Sequence, residues 1–180
     1  MDLFAHACYG AVLCSRSGLA GGRKGRPGRK WYRDGSLWLA VFFGLLPDIV
    51  SMWIPYITTA GWADAGRFFG SYDGGWLEVY RWVHSLIPAV IFCGLLGILC
   101  RRLFVVSLAW PVHILCDAVS HGAGKFGTMI FYPLSRFQID GIPFWRHGWF
   151  MVAYWAVLAA LVIFIILWRH RPLRSRRPGA

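Results

Sequence analysis

The segment His113-Ile-Leu-Cys-Asp117-Ala-Val-Ser-His121 puts two imidazoles and a carboxylate into a stretch that otherwise reads as membrane helix. Positions four apart share one helix face, drifting about 40° per step at 3.6 residues per turn, so the three side chains form one polar strip. A carboxylate in the hydrocarbon core costs roughly 2.5–3.5 kcal/mol even on the lenient insertion scale. Another side chain, water, a proton or a metal must offset that cost. Further groups of the same kinds stand elsewhere in apolar sequence: His6, Asp48 directly after Pro47, and His84. Together His6, Asp48, His84, His113 and Asp117 are the ligand mixture that zinc and similar divalent ions take. An ion would also supply the positive charge that buried carboxylates lack. Taken singly, each residue has a plainer account. Asp48 suits a cap at a helix break, Asp117 suits pairing with an arginine such as Arg81, and His147 and His170 suit interfacial hydrogen bonding at membrane ends.

The elements that must position these groups follow from composition. The chain has 180 residues, room for one domain, and is 57% hydrophobic with only 15% charged residues, far from the balance of a soluble domain. A net charge of +11 would suit nucleic acid, but the basic residues cluster between long apolar runs, as in a polytopic membrane protein. No nucleic-acid partner is expected. Cys8, Cys14, Cys93, Cys100 and Cys116 form no CxxC pair and sit in or beside apolar runs, where free cysteine acts as a small hydrophobe. No signal peptide is read at the start, since Asp2 stands where a basic segment should be.

The expected fold is all-α, a polytopic membrane helical bundle of four full transmembrane helices plus a short N-terminal helix. The short helix is Leu3–Cys14, about 12 residues against the ~20 needed to cross a bilayer, packed inside the protein. The four spans are Leu37–Tyr56, interrupted at Leu46-Pro47-Asp48, then Val83–Cys100, Leu103–Val119 and Trp149–Trp168. Proline removes a backbone bond and kinks a helix, and such breaks are tolerated at membrane depth where they line a cavity. The stretches Thr58–Arg81 and Gly122–His147 read as loops. Residues 1–168 form one membrane-embedded domain, and 169–180 a basic, disordered cytoplasmic tail.

The basic loop Arg16–Arg33, the Arg101-Arg102 turn and the C-terminal tail hold fourteen of the nineteen Lys and Arg. They alternate with the other loops as turns on one side would, and the positive-inside rule puts them in the cytoplasm. The basic loop is a flexible cytoplasmic connection, or alternatively a site for anionic headgroups. This orientation brings His6, Asp48, His84, His113, Asp117 and His121 to one depth in the outer half of the membrane, with the C-terminus cytoplasmic. The membrane expected is a bacterial inner (plasma) membrane.

The order of these motifs resembles a known family. His6, Gly44-Leu45-Leu46-Pro47-Asp48, Arg81-Trp82-Val83-His84-Ser85, His113-x-x-x-Asp117 and Tyr132-Pro133-Leu134-Ser135 look like the YdjM-like membrane-bound metal-dependent hydrolases. The order is also similar to zinc-dependent phospholipase C and the related fungal single-strand nucleases. The resemblance covers the chain from His6 to about Ser135. It implies a metal site on Asp48, His84, His113 and Asp117, with His6 joining a second ion that shares Asp117 as a bridge. Two ions about 3.5–4 Å apart suit phosphoester hydrolysis. The resemblance further implies that Asp48 is catalytic, orienting or deprotonating the attacking water, and that His121 is a further ligand or a substrate contact. Val50, Tyr80 and Val83 depart from the family pattern, which has an acid, a histidine and a threonine there. No third zinc site is found, so one or two ions are expected.

The expected function is therefore a membrane-bound hydrolase cleaving phosphoesters of lipid-like membrane substrates with a divalent metal, zinc foremost. Two other classes stay open. One is an ion or proton transporter using intramembrane His and Asp, and the other a non-catalytic protein whose metal ties helices together.

Overall fold

The computed structural model describes residues 1–22, 30–60, 65–70 and 72–170. The middle of the basic loop (23–29) and positions 171–180 lie outside the described residues. The tail expected to be disordered from 169 is corrected at its start: Arg169 and His170 end the last helix, and the Arg169 guanidinium donates to the carbonyls of Arg16, Ser17, Gly18 and Gly22. The chain is helical, with no strand among the described residues. Helices α1 (Leu3–Cys14), α2 (Gly35–Asp48), α3 (Ala65–Gly70), α4 (Gly74–Val83), α5 (Leu86–Leu99), α6 (Arg101–Ser107), α7 (Ala109–Ser120) and α8 (Gly148–His170) follow in order.

Asp2 starts α1 as its N-cap, one oxygen accepting from the Ala5 amide at 2.9 Å. Its other oxygen takes the Tyr154 hydroxyl and the Trp155 indole of α8. One face of α1, Ala5, His6, Tyr9 and Gly10, is buried, whereas Phe4 is exposed. Gly10 lets α1 lie against α2 and α7: a Cβ there would come within 2.8 Å of the Ala40 carbonyl oxygen and 3.1 Å of the Ala109 Cβ. Small residues at such crossings let backbones approach where apolar attraction between helices is weak. Asp34 starts α2 in the same manner. It accepts from the amide and hydroxyl of Ser36 and, with its second oxygen, from those of Ser17, which fastens the incoming loop.

Pro47 was expected to interrupt the second helix. Instead the helix continues. The hydrogen-bond register widens into π turns at Ile49–Trp53 and Tyr56–Ala60, and Ser51 donates to the Pro47 carbonyl at 2.7 Å. The helix thus carries on past the missing N–H. The result is one apolar helix, Gly35–Thr58, of 24 residues. Pro111 creates the same deficit in α7. Its absent N–H leaves the Ser107 carbonyl free, and the Cys93 thiol of α5 takes that place at 3.3 Å. Arg101–Ser120 thus runs as one apolar stretch of 20 residues.

Three helices are long and apolar enough to cross a membrane: Gly35–Thr58, Arg101–Ser120 and Gly148–His170. The fourth expected span, Val83–Cys100, is broken. The chain bends by 57° between α4 and α5, at His84-Ser85. The 14 residues of α5 reach only about 21 Å of the roughly 30 Å hydrocarbon core. A fourth crossing exists only if α4 and α5 count together as one bent span. The expected loop 58–81 is also corrected, since it contains α3 and α4. In α4 the apolar positions Leu77 and Tyr80 turn inward onto Phe68, Tyr72 and Phe126, so burial of one face outweighs the loop signals of Gly74-Gly75.

The bend is held from three sides. The Trp110 indole of α7 donates to the Val83 carbonyl at 2.8 Å, Ser85 caps α5, and the Leu86 amide donates to the Ile130 carbonyl at 2.9 Å. The Ser85 hydroxyl also donates to the Tyr132 carbonyl at 2.6 Å, which seats the Tyr132-Pro133-Leu134-Ser135 loop. The loop 122–147 is irregular, as expected, and its segment 141–144 caps α7. Amides of Gly141, Ile142 and Phe144 satisfy the carbonyls of His121, Val119 and Ser120. Helix α8 has no acidic, basic or histidine residue before Arg169 and buries only a narrow stripe, Tyr154, Leu158 and Ile165. That is the pattern of a helix presenting most of its surface to lipid.

Candidate metal centre

Four elements converge on one point. Helix α7 supplies His113 and Asp117 one turn apart on its buried face. Helix α2 supplies the Gly44 carbonyl and, one turn later, Asp48. The end of α4 supplies His84, whose backbone already leaves helical geometry at φ −99° and ψ 27°. Helix α1 supplies His6. His121 stands just past the end of α7, and its side chain still reaches toward Asp117. Helix α7 ends at Ser120, and His121 is extended at φ −115° and ψ 139°.

The backbone determines which nitrogen of each imidazole carries its proton. His113 Nδ1 lies 2.7 Å from the Gly44 carbonyl oxygen, and His84 Nδ1 lies 3.1 Å from that of Tyr80. A carbonyl only accepts, so both Nδ1 atoms are assigned as donors. In neutral rings both Nε2 atoms then hold bare lone pairs. Those two atoms face each other at 3.3 Å, where two acceptors cannot hydrogen-bond. Carboxylate oxygens close around them. Asp48 Oδ1 is 3.5 Å from His84 Nε2 and 3.8 Å from His113 Nε2. Asp117 Oδ2 is 3.5 Å and 3.2 Å from the same atoms. One ligand atom from each of Asp48, His84, His113 and Asp117 lies within 4.8 Å of every other. These four residues could hold a metal ion.

Five of the six edges between these ligand atoms are close to what such an ion needs, and the sixth, between the two carboxylates, lies within 4.8 Å. Tetrahedral zinc with bonds of about 2.0–2.2 Å has ligand atoms roughly 3.3–3.6 Å apart, and the nitrogen–nitrogen and nitrogen–oxygen edges here run from 3.2 to 3.8 Å. Nδ1 donors on backbone carbonyls are also the usual support for metal-binding imidazoles, because they hold ring and tautomer in place. The side chains of His84, His113 and Asp117 are almost wholly enclosed, whereas that of Asp48 is 18% exposed. Asp48 therefore marks the open side of the cluster.

Asp117 divides its oxygens between two neighbourhoods. While Oδ2 faces His84 and His113, Oδ1 accepts from His6 Nε2 at 2.8 Å and lies 2.9 Å from the Met1 amino group. The His6 ring stacks on His113 with centroids 3.8 Å apart, and its Nδ1 is buried without a hydrogen-bond partner. His6 thus joins the cluster through Asp117 and stands outside the four-residue group. His121 Nδ1 approaches the same Oδ1 only to 3.4 Å and makes no hydrogen bond. Its ring leans on Trp145 and Phe144. His147 lies on another surface, against Trp149.

Three participants were not anticipated as such. Gly44 contributes its carbonyl, and a Cβ there would stand 3.0 Å from the His6 carbonyl oxygen, so glycine also keeps α1 close. Tyr80 accepts the His84 proton on its carbonyl, stacks its ring on His84 at 4.1 Å, and donates its hydroxyl to the Phe126 carbonyl at 2.8 Å. Glu78 receives the Tyr132 hydroxyl and pairs with Arg81. Arg81 is thereby engaged by Glu78 and not by Asp117. The spacing of Gly44 and Tyr80, each four residues before a ligand, is the one signal that could have pointed to them.

Fold and cluster together define an all-helical protein with apolar helices able to cross a membrane and a buried His/Asp site suited to a metal ion. No protein-family model, curated protein or solved structure matches the chain.

Proposed function

We propose that this protein is a membrane-embedded metal-dependent hydrolase that cleaves phosphoesters of lipid-like substrates in the outer half of the bilayer. The observation that carries this reading is the pair of Nε2 lone pairs, 3.3 Å apart and flanked by two carboxylate oxygens. A set of two imidazoles and two carboxylates favours zinc, since magnesium and calcium prefer oxygen ligands alone. The ordered resemblance to YdjM-like hydrolases supports catalysis over a purely structural ion. The outward orientation rests on the Lys and Arg distribution.

A divalent ion held here would polarise a phosphoryl oxygen and supply positive charge against the leaving oxygen. The chain's own groups have distinct parts. His84 and His113, locked by Tyr80 and Gly44, present Nε2 inward. His6 holds Asp117 Oδ1, which keeps Oδ2 turned toward the histidines. Asp48 stands where substrate would arrive. Its Oδ2 makes no hydrogen bond among the described residues and is the acceptor for the proton of an attacking water.

Elemental analysis of the protein purified in mild detergent tests the site, and a panel of phospholipids and phosphomonoesters tests the activity. Near-stoichiometric zinc, lost in His113→Ala and Asp48→Ala together with hydrolysis, is the expected result. Substoichiometric metal unchanged by either substitution would overturn the site. Full metal with no hydrolysis across the panel would instead identify a metal-stabilised, non-catalytic protein. A proton flux in liposomes, abolished by Asp117→Asn, would identify a relay.

A further inference from the structure

Away from the metal centre, the hairpin of α5 and α6 carries a groove of about 440 Å³ lined by Gly94, Gly97, Arg101 and Phe104. That size lies within the range of small-ligand sites. Its floor is the Phe104 ring pressed on Gly97, where a Cβ would come within 2.8 Å of the ring. At Gly94 the space is open, with nothing within 4 Å of a Cβ built there. Leu95, Ile98 and Leu99 beside it are exposed and apolar. Arg101 begins the apolar stretch Arg101–Ser120, so it stands at the end of a membrane-crossing segment, exposed beside the equally exposed Arg102. Neither arginine has a hydrogen bond or ion pair among the described residues.

We infer that this groove binds an anionic phospholipid, with the head of one acyl chain over Gly94 and Phe104 and the phosphate on the Arg101 guanidinium. Three features favour a lipid as occupant. The walls are apolar and are flanked by the exposed apolar Leu95, Ile98 and Leu99. The one charged lining group sits where a headgroup lies, and unpaired guanidinium is a strong phosphate donor. A symmetric second copy seated here would bring two Arg101 side chains into one seam, which is unfavourable. The inference is independent of the hydrolase reading, because it concerns a different face and needs no metal.

Native mass spectrometry of the full chain, loaded with phosphatidylglycerol or phosphatidylcholine, reads the site directly. The wild type is expected to retain phosphatidylglycerol about fivefold more than phosphatidylcholine, the factor one basic residue contributes at a membrane surface. Gly94→Leu keeps every charge and fills the groove, so it should erase the preference. Arg101→Gln should also erase it, while Arg101→Lys keeps part of it. Helical circular dichroism, unchanged in all variants, shows that the fold survives. Equal retention of the two lipids by the wild type overturns the inference. So does an undiminished preference in Gly94→Leu, which would mean diffuse attraction to basic surface. A dimer abolished by Gly94→Leu overturns it in favour of a second copy.

Discussion

The Nδ1 atom of His113 lies 2.7 Å from the carbonyl oxygen of Gly44, four residues before Asp48 on the same helix. One turn of α2 therefore does two jobs: its carbonyl orients the imidazole, and its carboxylate meets the opposite side of that ring at 3.8 Å. Any change that moves this turn moves both.

Gly44→Ala is the sharpest probe of that coupling. Its Cβ would press on the His6 carbonyl at 3.0 Å and push α1 away, and His6 with it. Metal affinity should fall about 10–100-fold, the usual cost of disturbing the groups that orient metal-binding imidazoles. Competition with a chelator, read by zinc release, measures it. Unchanged affinity would show that the close approach of α1 to α2 at Gly44 does not support the site.

Tyr80 separates packing from hydrogen bonding. Tyr80→Phe keeps the ring stacked on His84 but leaves the Phe126 carbonyl without its donor. A loss of about 0.5–1.5 kcal/mol is expected, with metal retained. Tyr80→Ala also removes a buried aromatic ring, for about 3–5 kcal/mol, and frees His84. Thermal unfolding in detergent with and without zinc distinguishes the two variants.

Cys93 and Pro111 should be energetically coupled. Cys93→Ala leaves the Ser107 carbonyl unsatisfied in the interior and should cost about 1 kcal/mol. In a Pro111→Ala background the backbone amide can take that carbonyl, so the same substitution should cost less. A double-mutant cycle gives the coupling directly, and strict additivity would refute it.

Asp34, outside the membrane spans, contributes a pH dependence of known sign. Burial pushes its carboxyl up, but hydrogen bonds from Ser17 and Ser36 outweigh this and hold it below the usual value. Its stabilisation is therefore complete above the ordinary carboxylate pKa, about 3.9, and disappears as the pH falls through the lower folded value. Asp34→Ala should lower stability by about 1 kcal/mol at neutral pH, the cost of a lost N-cap. It should also flatten the acid limb. Melting curves between neutral pH and about pH 3 test both parts.

Much of the architecture was readable in the chain because burial in hydrocarbon leaves composition few choices. Apolar runs of about 20 residues, flanked by basic clusters, located three helices that could cross a membrane. The bend at His84-Ser85 was not readable. Beyond His84-Ser85 the stretch to Cys100 is apolar, and the angle of the break depends on Trp110, Ile130 and Tyr132, residues far along the chain. The fate of Pro47 was likewise hidden, since whether proline breaks a helix or shifts its register depends on what satisfies the neighbouring carbonyls.

By itself the sequence determined the kinds of donor available, three imidazoles and two carboxylates in apolar surroundings, and the one-turn spacing of His113 and Asp117. Side-chain chemistry and helical periodicity are local, so no partner is needed to read them. Only the tertiary structure decided that Asp48 and His84 face those two residues, that His6 meets Asp117 on its other oxygen, and that His121, just past the end of α7, approaches that oxygen only to 3.4 Å. It also decided which nitrogen of His84 and of His113 is free, because the carbonyls of Tyr80 and Gly44 claim the other. A tautomer is set by a neighbour in space, and that neighbour exists only once the helices have packed.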